Sequence, residues 1–483
     1  MKKTVCIILA AVVLFSLLFA VNVSADGDEV YVDLEAGYLI FADEGSYCIL
    51  KACAAITEGD VVIPSDVDFG GKSLPVKKIK SDAFSNCYTV TGITIPDCVT
   101  EIGDWAFYQC FNLKKITIPA NVETIGVDLF YGCISLDSIN VDAKNKKYSS
   151  YDGVLFNKNR TELIAYPNAK GSNYTIPDGV STIGYGAFES CYDLSGVTIP
   201  ESVNMIDDYA FNGCNYMESI FIPENVSYIG KNVFAGCNVL EKISVDEKNL
   251  CYTSLDGVLF DKDIKQIVAY PAARAEKYVI PDGVDTIMCG AFSYCYSLRS
   301  VTIPDSVTMI DSWAFSNCSS LSAIKIPDSV TYLGANAFSG CTSLLNVTVP
   351  NGITEIYDET FFRCESLASV TLPATVTSVG GAAFLACDSL KTVYFKGTEE
   401  QWNSITFDWG NEVISDAKAV FDYTGAGAGD VNGDGEVDNK DVVTLFRFVS
   451  AAADGYDAAY DLNEDGEVNN KDVVELFRYV SSV

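Results

Sequence analysis

The sequence contains no histidine. That removes every catalytic scheme that uses imidazole as base, and every histidine-ligated zinc or iron site. Glycoside hydrolysis needs only two carboxylates, so this absence alone leaves that chemistry open. Basic residues are scarce as well: 32 Lys and Arg face 65 Asp and Glu, for a formal charge of −33. Nucleic acid and anionic membrane repel such a surface, whereas divalent cations are drawn to it. None of the 17 cysteines forms a Cys-x-x-Cys pair, so no zinc-type ligand spacing is present. Beyond the first residues there is no apolar run of membrane-spanning length.

The chain opens on Lys2 and Lys3, runs through apolar residues from Val5 to Val21 and reaches Val23-Ser24-Ala25. This is the pattern of a secretory signal peptide over residues 1–25; the alternative is a membrane span, for which the run is nearly long enough. Cleavage removes two lysines and no acid, taking the charge from −33 to −35. The expected product is soluble and extracellular.

Internal repeats dominate the rest of the chain up to its acidic tail. Prolines preceded by Ile, Val or Leu stand 23 residues apart at 96 and 119, at 177, 200 and 223, and at 281, 304, 327, 350 and 373. Cysteines keep the same register three residues after a repeated Phe, from Cys87 through Cys110, Cys133 and onward to Cys387, which makes eleven coils visible. Two gaps of 58 each hold one coil plus about 35 further residues. The two insertions match: Asp152-Gly153-Val154-Leu155-Phe156 recurs 104 residues later as Asp256-Gly257-Val258-Leu259-Phe260. Within a coil, Leu113-x-x-Ile116-x-Ile118 places apolar residues on one face of a strand, and Pro119, lacking an N–H, ends it. A short helical turn is expected around Ala106-Phe107, with the Phe inside. One coil cannot bury its own face; a stack shares a continuous core. The fold class expected is a repeat solenoid.

Eleven of the cysteines occupy one column of that stack. They are read as buried free thiols filling small apolar spaces, with disulfides along the column as the alternative. The middle position of the strand, Thr94, Thr117, Asn140, Thr198 and so on to Tyr394, is expected to be exposed; threonine there follows from β-propensity, or marks a binding face. Trp105, Tyr209 and Trp313 share one coil position 104 residues apart, a further candidate binding row.

These repeats resemble the BspA-like leucine-rich repeats of bacterial surface and secreted proteins, over roughly residues 60–420. The resemblance implies a right-handed, β-rich leucine-rich-repeat solenoid of 23-residue coils, with an irregular amino-terminal cap within 26–84. Its repeats then occupy 85–423, the two insertions and a carboxy-terminal cap around Tyr394–Trp402 included.

After a Gly-Ala linker at 424–429, a twelve-residue pattern occurs twice. Oxygen donors stand at positions 1, 3, 5, 7, 9 and 12: Asp430, Asn432, Asp434, Glu436 (through its carbonyl), Asp438 and Asp441, then Asp461, Asn463, Asp465, Glu467 (likewise), Asn469 and Asp472. Calcium takes six to eight oxygens at about 2.4 Å, and Gly435 and Gly466 allow the sharp turn at position 6. Two Ca2+ ions are expected. The halves Asp430–Val449 and Asp461–Val480 agree at 15 of 20 positions, each feeding an amphipathic helix. With thirteen acids against four bases, residues 430–483 are expected to need calcium to fold.

This tail resembles a type I dockerin, the module that plugs secreted proteins into cohesin domains of a cellulosome scaffold. The resemblance implies a small all-α domain with two calcium-binding F-hand loops, and cohesin contacts at Asn439, Lys440, Phe446, Arg447, Asn470, Lys471, Phe477 and Arg478. Core packing is the other role open to Phe446 and Phe477. The near-identity of the halves implies two docking orientations related by about 180°. The function expected is that of a secreted, non-catalytic, cellulosome-associated protein in a polysaccharide-degrading complex, whose repeats bind protein or glycan. A cell-surface-attached adhesin and a carbohydrate-active hydrolase are the alternatives.

Overall fold

A computed structural model describes residues 5–6, 22–26, 29–34, 37–54, 59–422, 442–446, 473–474 and 476. The chain divides into two compact units, Met1–Cys237 and Asn238–Val483. Both are β-solenoids of the expected coil length.

Most coils carry two short strands separated by a proline corner; the coil at 321–333 lacks the first. Lys115–Ile118 is a first strand; Ile116 and Ile118 face inward while Lys115 and Thr117 face out, because side chains alternate along an extended chain. It lies parallel to Ser138–Val141, with Ile116 opposite Ile139. The corner closes through the carbonyl that proline retains: Val99 N–H donates to the Pro96 carbonyl (3.1 Å), and Val307 N–H to that of Pro304 (3.0 Å). The second strand is only two residues long. Glu101–Ile102 pairs in parallel with Ser73–Ile79 on one side and Thr124–Ile125 on the other.

The turn expected at Ala106–Phe107 is present, and its hydrogen bonding explains how coils adhere. Trp105 and Gln109 sit at φ 53° and 55°, on either side of Phe107, so left-handed residues punctuate the segment. N–H groups then alternate in purpose. Tyr108 N–H closes its own turn on the Trp105 carbonyl (2.9 Å), while Phe107 N–H crosses to the Leu129 carbonyl of the next coil (3.2 Å). A continuous helix would direct its N–H groups to carbonyls four residues back in its own segment, leaving none for neighbours. Helix is accordingly confined, among the described solenoid residues, to Glu399–Trp402 and Glu412–Asp416 near the carboxy-terminal end.

Phenylalanine forms the spine. In the first unit Phe84, Phe107 and Phe130 follow one another at 5.6 and 5.8 Å, and Phe188, Phe211 and Phe234 at 5.0 and 5.9 Å. In the second, Phe292 to Phe384 form an unbroken series at 4.9 to 5.7 Å. Spacings of this kind suit offset aromatic stacking. The insertions continue the series with tyrosine: Tyr166 lies 5.1 Å from Phe188, and Tyr270 lies 5.0 Å from Phe292.

Each insertion is a hairpin followed by a coil. Tyr148–Tyr151 and Val154–Asn157 pair antiparallel across Asp152 (φ 49°) and Gly153 (φ 74°), a turn whose two positive φ angles match hairpin twist. Val154–Asn157 then pairs antiparallel with Glu162–Ala165, which runs parallel to Thr182–Ile183 and so begins a new run of second strands. Tyr252–Leu255, Val258–Asp261, Gln266–Ala269 and Thr286–Ile287 repeat the arrangement in the second unit. Asn145 anchors the first hairpin. Its Nδ2 donates to the carbonyls of Pro119 (2.7 Å) and Val122 (3.0 Å), and its Oδ1 accepts from the N–H groups of Lys147 and Tyr148, both at 2.8 Å.

Glu29–Leu34, Gly37–Asp43 and Cys48–Ala54 form an antiparallel set whose last strand joins Ser73–Ile79 in parallel. Asn22–Asp26 pairs antiparallel with Glu29–Leu34. In the carboxy-terminal cap, Thr398 and Gln401 form a reciprocal capping box on Glu399–Trp402. Trp402 packs edge-on against Phe395 at 5.5 Å, closing the core. No helix among the described residues is long and apolar enough to cross a membrane.

Candidate functional site

In the tail, the loop residues Asp430, Asn432, Asp434, Glu436, Asp438, Asp441, Asp461, Asn463, Asp465, Glu467, Asn469 and Asp472 lie outside the described residues, as do Asn439, Lys440, Arg447, Asn470, Lys471, Phe477 and Arg478. Their donor set is oxygen alone, with neither His nor Cys, which fits a hard cation such as calcium rather than zinc or copper. The helix after the first loop is described over 442–446. Leu445 is fully buried whereas Phe446 is 54% exposed. Val443 and Val474 are also exposed, and Leu476 is buried like Leu445. An exposed aromatic and valine beside a buried leucine present apolar area that a partner can cover.

Along the first strands of the solenoid, Thr94, Thr117, Asn140, Thr198, Thr302 and Thr348 are exposed as expected. Ser244 and Thr371 are half-buried and Tyr394 is buried at 4% exposure, the last because it pairs with Val420 and lies under the carboxy-terminal cap. Trp105 and Trp313 are exposed and both occupy left-handed positions, φ 53° and 54°, where other coils place Asp, Asn, Gly, Tyr, Glu or Ala. Trp105 is also engaged: its indole Nε1 donates to Asp128 Oδ2 at 3.2 Å.

The cysteine column consists of free thiols, buried from Cys110 to Cys387. Each thiol does more than fill space. Cys110 Sγ donates to the Phe84 carbonyl (3.2 Å), Cys133 to Phe107 (3.1 Å), Cys318 to Phe292 (3.1 Å) and Cys387 to Phe361 (3.1 Å). The thiol therefore ties each coil to the backbone of the one before it. Burial pushes the Cys237 and Cys341 thiols up to about 12, away from the nucleophilic thiolate form.

One site was not visible in the sequence. Between the first insertion and its neighbouring coils, within Met1–Cys237, lies a cavity of about 270 Å³. Tyr131, Tyr148 and Tyr185 form its walls, and Asp128, Glu162 and Glu189 bring carboxyl groups to it; no Lys or Arg lines it. Asp128 Oδ1 and Glu189 Oε2 converge above Gly186 (φ 57°): a Cβ placed there would lie 3.0 Å from one and 3.1 Å from the other. Asp128 Oδ1 is closed off from solvent without a hydrogen-bond partner, and two carboxylates offer each other only acceptors. The donor it lacks is the acid hydrogen of Glu189. Burial, followed by the Asp128 charge and the hydrogen bond between the two groups, pushes the Glu189 carboxyl up to about 9, so it carries that hydrogen at neutral pH. Burial and then the Asp207 charge raise Glu162 as well. Asp128 and Glu189 are 61 positions apart in coils that otherwise follow the repeat, and no motif links them.

The fold and tail define a repeat solenoid joined to a small paired-loop module. Residues 72–168, 161–270 and 262–391 match the BspA type leucine rich repeat region, and the chain belongs to that family. Residues 428–481 match the dockerin type I domain. Among solved structures, a leucine rich cell surface protein from Faecalibacterium prausnitzii is 32% identical, covering 80% of this chain and 98% of that one, at a TM-score of 0.51. The pneumococcal vaccine antigen PcpA is 20% identical, covering 81% and 97%, at 0.47. A leucine-rich repeat protein from Eubacterium ventriosum is 24% identical, covering 64% and 93%, at 0.38. No curated protein matches the chain. A type I dockerin is a calcium-binding, cohesin-recognising module, and leucine-rich repeats are protein-binding scaffolds.

Proposed function

We propose that this is a secreted, non-catalytic component of a cellulosome-type complex, docked through its tail while the solenoid holds a protein or glycan near the complex. The observation that carries this reading is the dockerin match over 428–481, coinciding with two loops of identical donor spacing. Two calcium ions would be held, one by Asp430, Asn432, Asp434, Glu436, Asp438 and Asp441, the other by Asp461, Asn463, Asp465, Glu467, Asn469 and Asp472. The ions supply the positive charge that lets an acidic segment close around them. Cohesin would then meet Asn439, Lys440, Phe446 and Arg447, or Asn470, Lys471, Phe477 and Arg478; the exposure of Phe446 supports that assignment. Residues 1–25 would be removed on secretion, taking most of the Asn22–Asp26 strand with them.

Capture on immobilised cohesins tests the reading. The full chain should be retained in calcium and released by chelator, and the double variant Asp430→Ala, Asp461→Ala should pass through. Retention by no cohesin of any class sinks it. Attachment to a cell surface is a second reading, supported by the 32% identical relative, which is a cell surface protein. Sustained release of reducing sugar from plant polysaccharide by the purified chain would overturn the non-catalytic part.

A further inference from the structure

Three runs of coils begin in the same way. A cap or insertion strand pairs in parallel with the next second strand, placing Leu50 opposite Ile79, Leu163 opposite Ile183 and Ile267 opposite Ile287. Three residues further on stand Cys53, Tyr166 and Tyr270. Tyr166 N–H donates to the Ala187 carbonyl and Tyr270 N–H to that of Ala291, both at 2.7 Å. Their own carbonyls face the first column thiol of each run, Cys191 at 3.7 Å and Cys295 at 3.9 Å. Both contacts recur at the head of the first run. Cys53 N–H donates to the Ala83 carbonyl at 2.6 Å, and Cys87 Sγ lies 3.9 Å from the Cys53 carbonyl. A cysteine therefore stands where the fold twice uses tyrosine, opposite the first thiol of the column.

Exposure separates this place from the other two. Tyr166, Tyr270, Cys191 and Cys295 are buried, whereas Cys53 and Cys87 are both half-buried. The two thiols touch through a side-chain hydrogen bond. That bond holds Cys87 below the ordinary thiol value, toward the nucleophilic thiolate, and raises Cys53. Cys110 and Cys133 also touch, as do Cys364 and Cys387, but all four are fully enclosed and out of reach of an oxidant.

We propose that Cys53 and Cys87 are a modification site, joined as a disulfide that staples the amino-terminal cap to the first coil. The inference rests on the secreted reading, because such bonds persist in oxidising compartments. The bond ties the strand Cys48–Ala54 to the turn that follows Phe84, across 34 residues. An end coil has a neighbour on one side only and opens first, so a cross-link there limits fraying. It also restricts the unfolded chain over the closed loop.

A small disulfide is the oxidant. The Cys87 thiolate attacks one sulfur of oxidised glutathione, forming a mixed disulfide and releasing a glutathione thiolate, which takes up the proton Cys87 lost. The Cys53 sulfur then attacks the Cys87 sulfur and gives up its own proton, and the second glutathione leaves as a thiol. Two protein thiols are oxidised by two electrons, and one disulfide is reduced to two thiols.

The test takes the purified full chain in calcium, reduces it, adds oxidised glutathione and maps its peptides by mass spectrometry without reductant. Wild type should yield a peptide linking Cys53 to Cys87, about 2 Da lighter than its separate parts. Cys110 and Cys133 should remain thiols, and Cys53→Ser should stop at the glutathione adduct on Cys87. Oxidised wild type should melt a few degrees above its reduced form, and Cys53→Ser, whose melt also establishes that it is folded, should show no such rise. Unlinked Cys53 and Cys87 in the folded wild type, a bond from either to another cysteine, or a link that leaves the melting temperature unchanged would each overturn the proposal. The link is read on purified protein: if it forms there while the chain is found retained inside cells, the secreted reading alone fails.

Discussion

Single side chains carry unusual weight in a stack whose coils are nearly identical. Asn145 makes four hydrogen bonds from a fully buried position, and truncation to alanine orphans two carbonyls and two N–H groups at once. Asn145→Ala should cost about 2–4 kcal/mol, read as a lower urea midpoint. Glu189 is the pH-sensitive counterpart. Its folded value, about 9, stands above the ordinary carboxyl value of 4.5, so the folded state binds the proton more tightly than the unfolded state. Stability from this group is complete below 4.5 and is lost as pH rises through 9, at about 1.4 kcal/mol per unit within that window. Glu189→Gln should flatten this slope in denaturant titrations at about pH 5 to 8. Neither residue could be singled out in the sequence: Asn145 looks like any turn asparagine, and the Glu189 pair exists only once coils 61 residues apart are stacked.

At the scale of the coil, the repeating unit is a set of hydrogen bonds that lead outward. Alternate N–H groups beside each Phe cross to the next coil, and the column thiols donate back to the previous one. Thiols buried in this way should resist iodoacetamide at about pH 8 in the native protein and react on unfolding, as mass spectrometry would show. Phe315 has stacked rings on both sides, at 4.9 and 5.3 Å. Phe315→Ala should cost about 3–5 kcal/mol, because neighbours fixed by the repeat cannot collapse into the space. Proline spacing and the Phe–Cys register made the coil readable from sequence, since a 23-residue period repeats the same contacts. The form of the Phe segment was less readable. Left-handed angles at Trp105 and Trp313 have no signature in those residue types; they arise from the demands of the adjoining coils.

For the molecule as a whole, two parts with different sources of stability are joined. Each solenoid unit buries an apolar core, whereas the tail has thirteen acids and four bases in residues 430–483, a charge that the proposed calcium ions would offset. Calorimetry should therefore show a minor transition that chelator abolishes and a major one that it leaves unchanged. Asp430→Ala should remove part of the minor transition only.

The sequence by itself determined the repeat length, the proline corners, the buried Phe and Cys columns and the paired acidic loops. Each is a local pattern whose consequence comes from the chain's own geometry and ligand chemistry. The tertiary structure decided what periodicity cannot encode: that Glu29–Leu34 pairs antiparallel with Gly37–Asp43, that Tyr166 and Tyr270 stand in for the missing rings, and that Asp128 and Glu189 meet above Gly186. These depend on distances between residues far apart in the chain, and such distances are set only when one coil is laid on another.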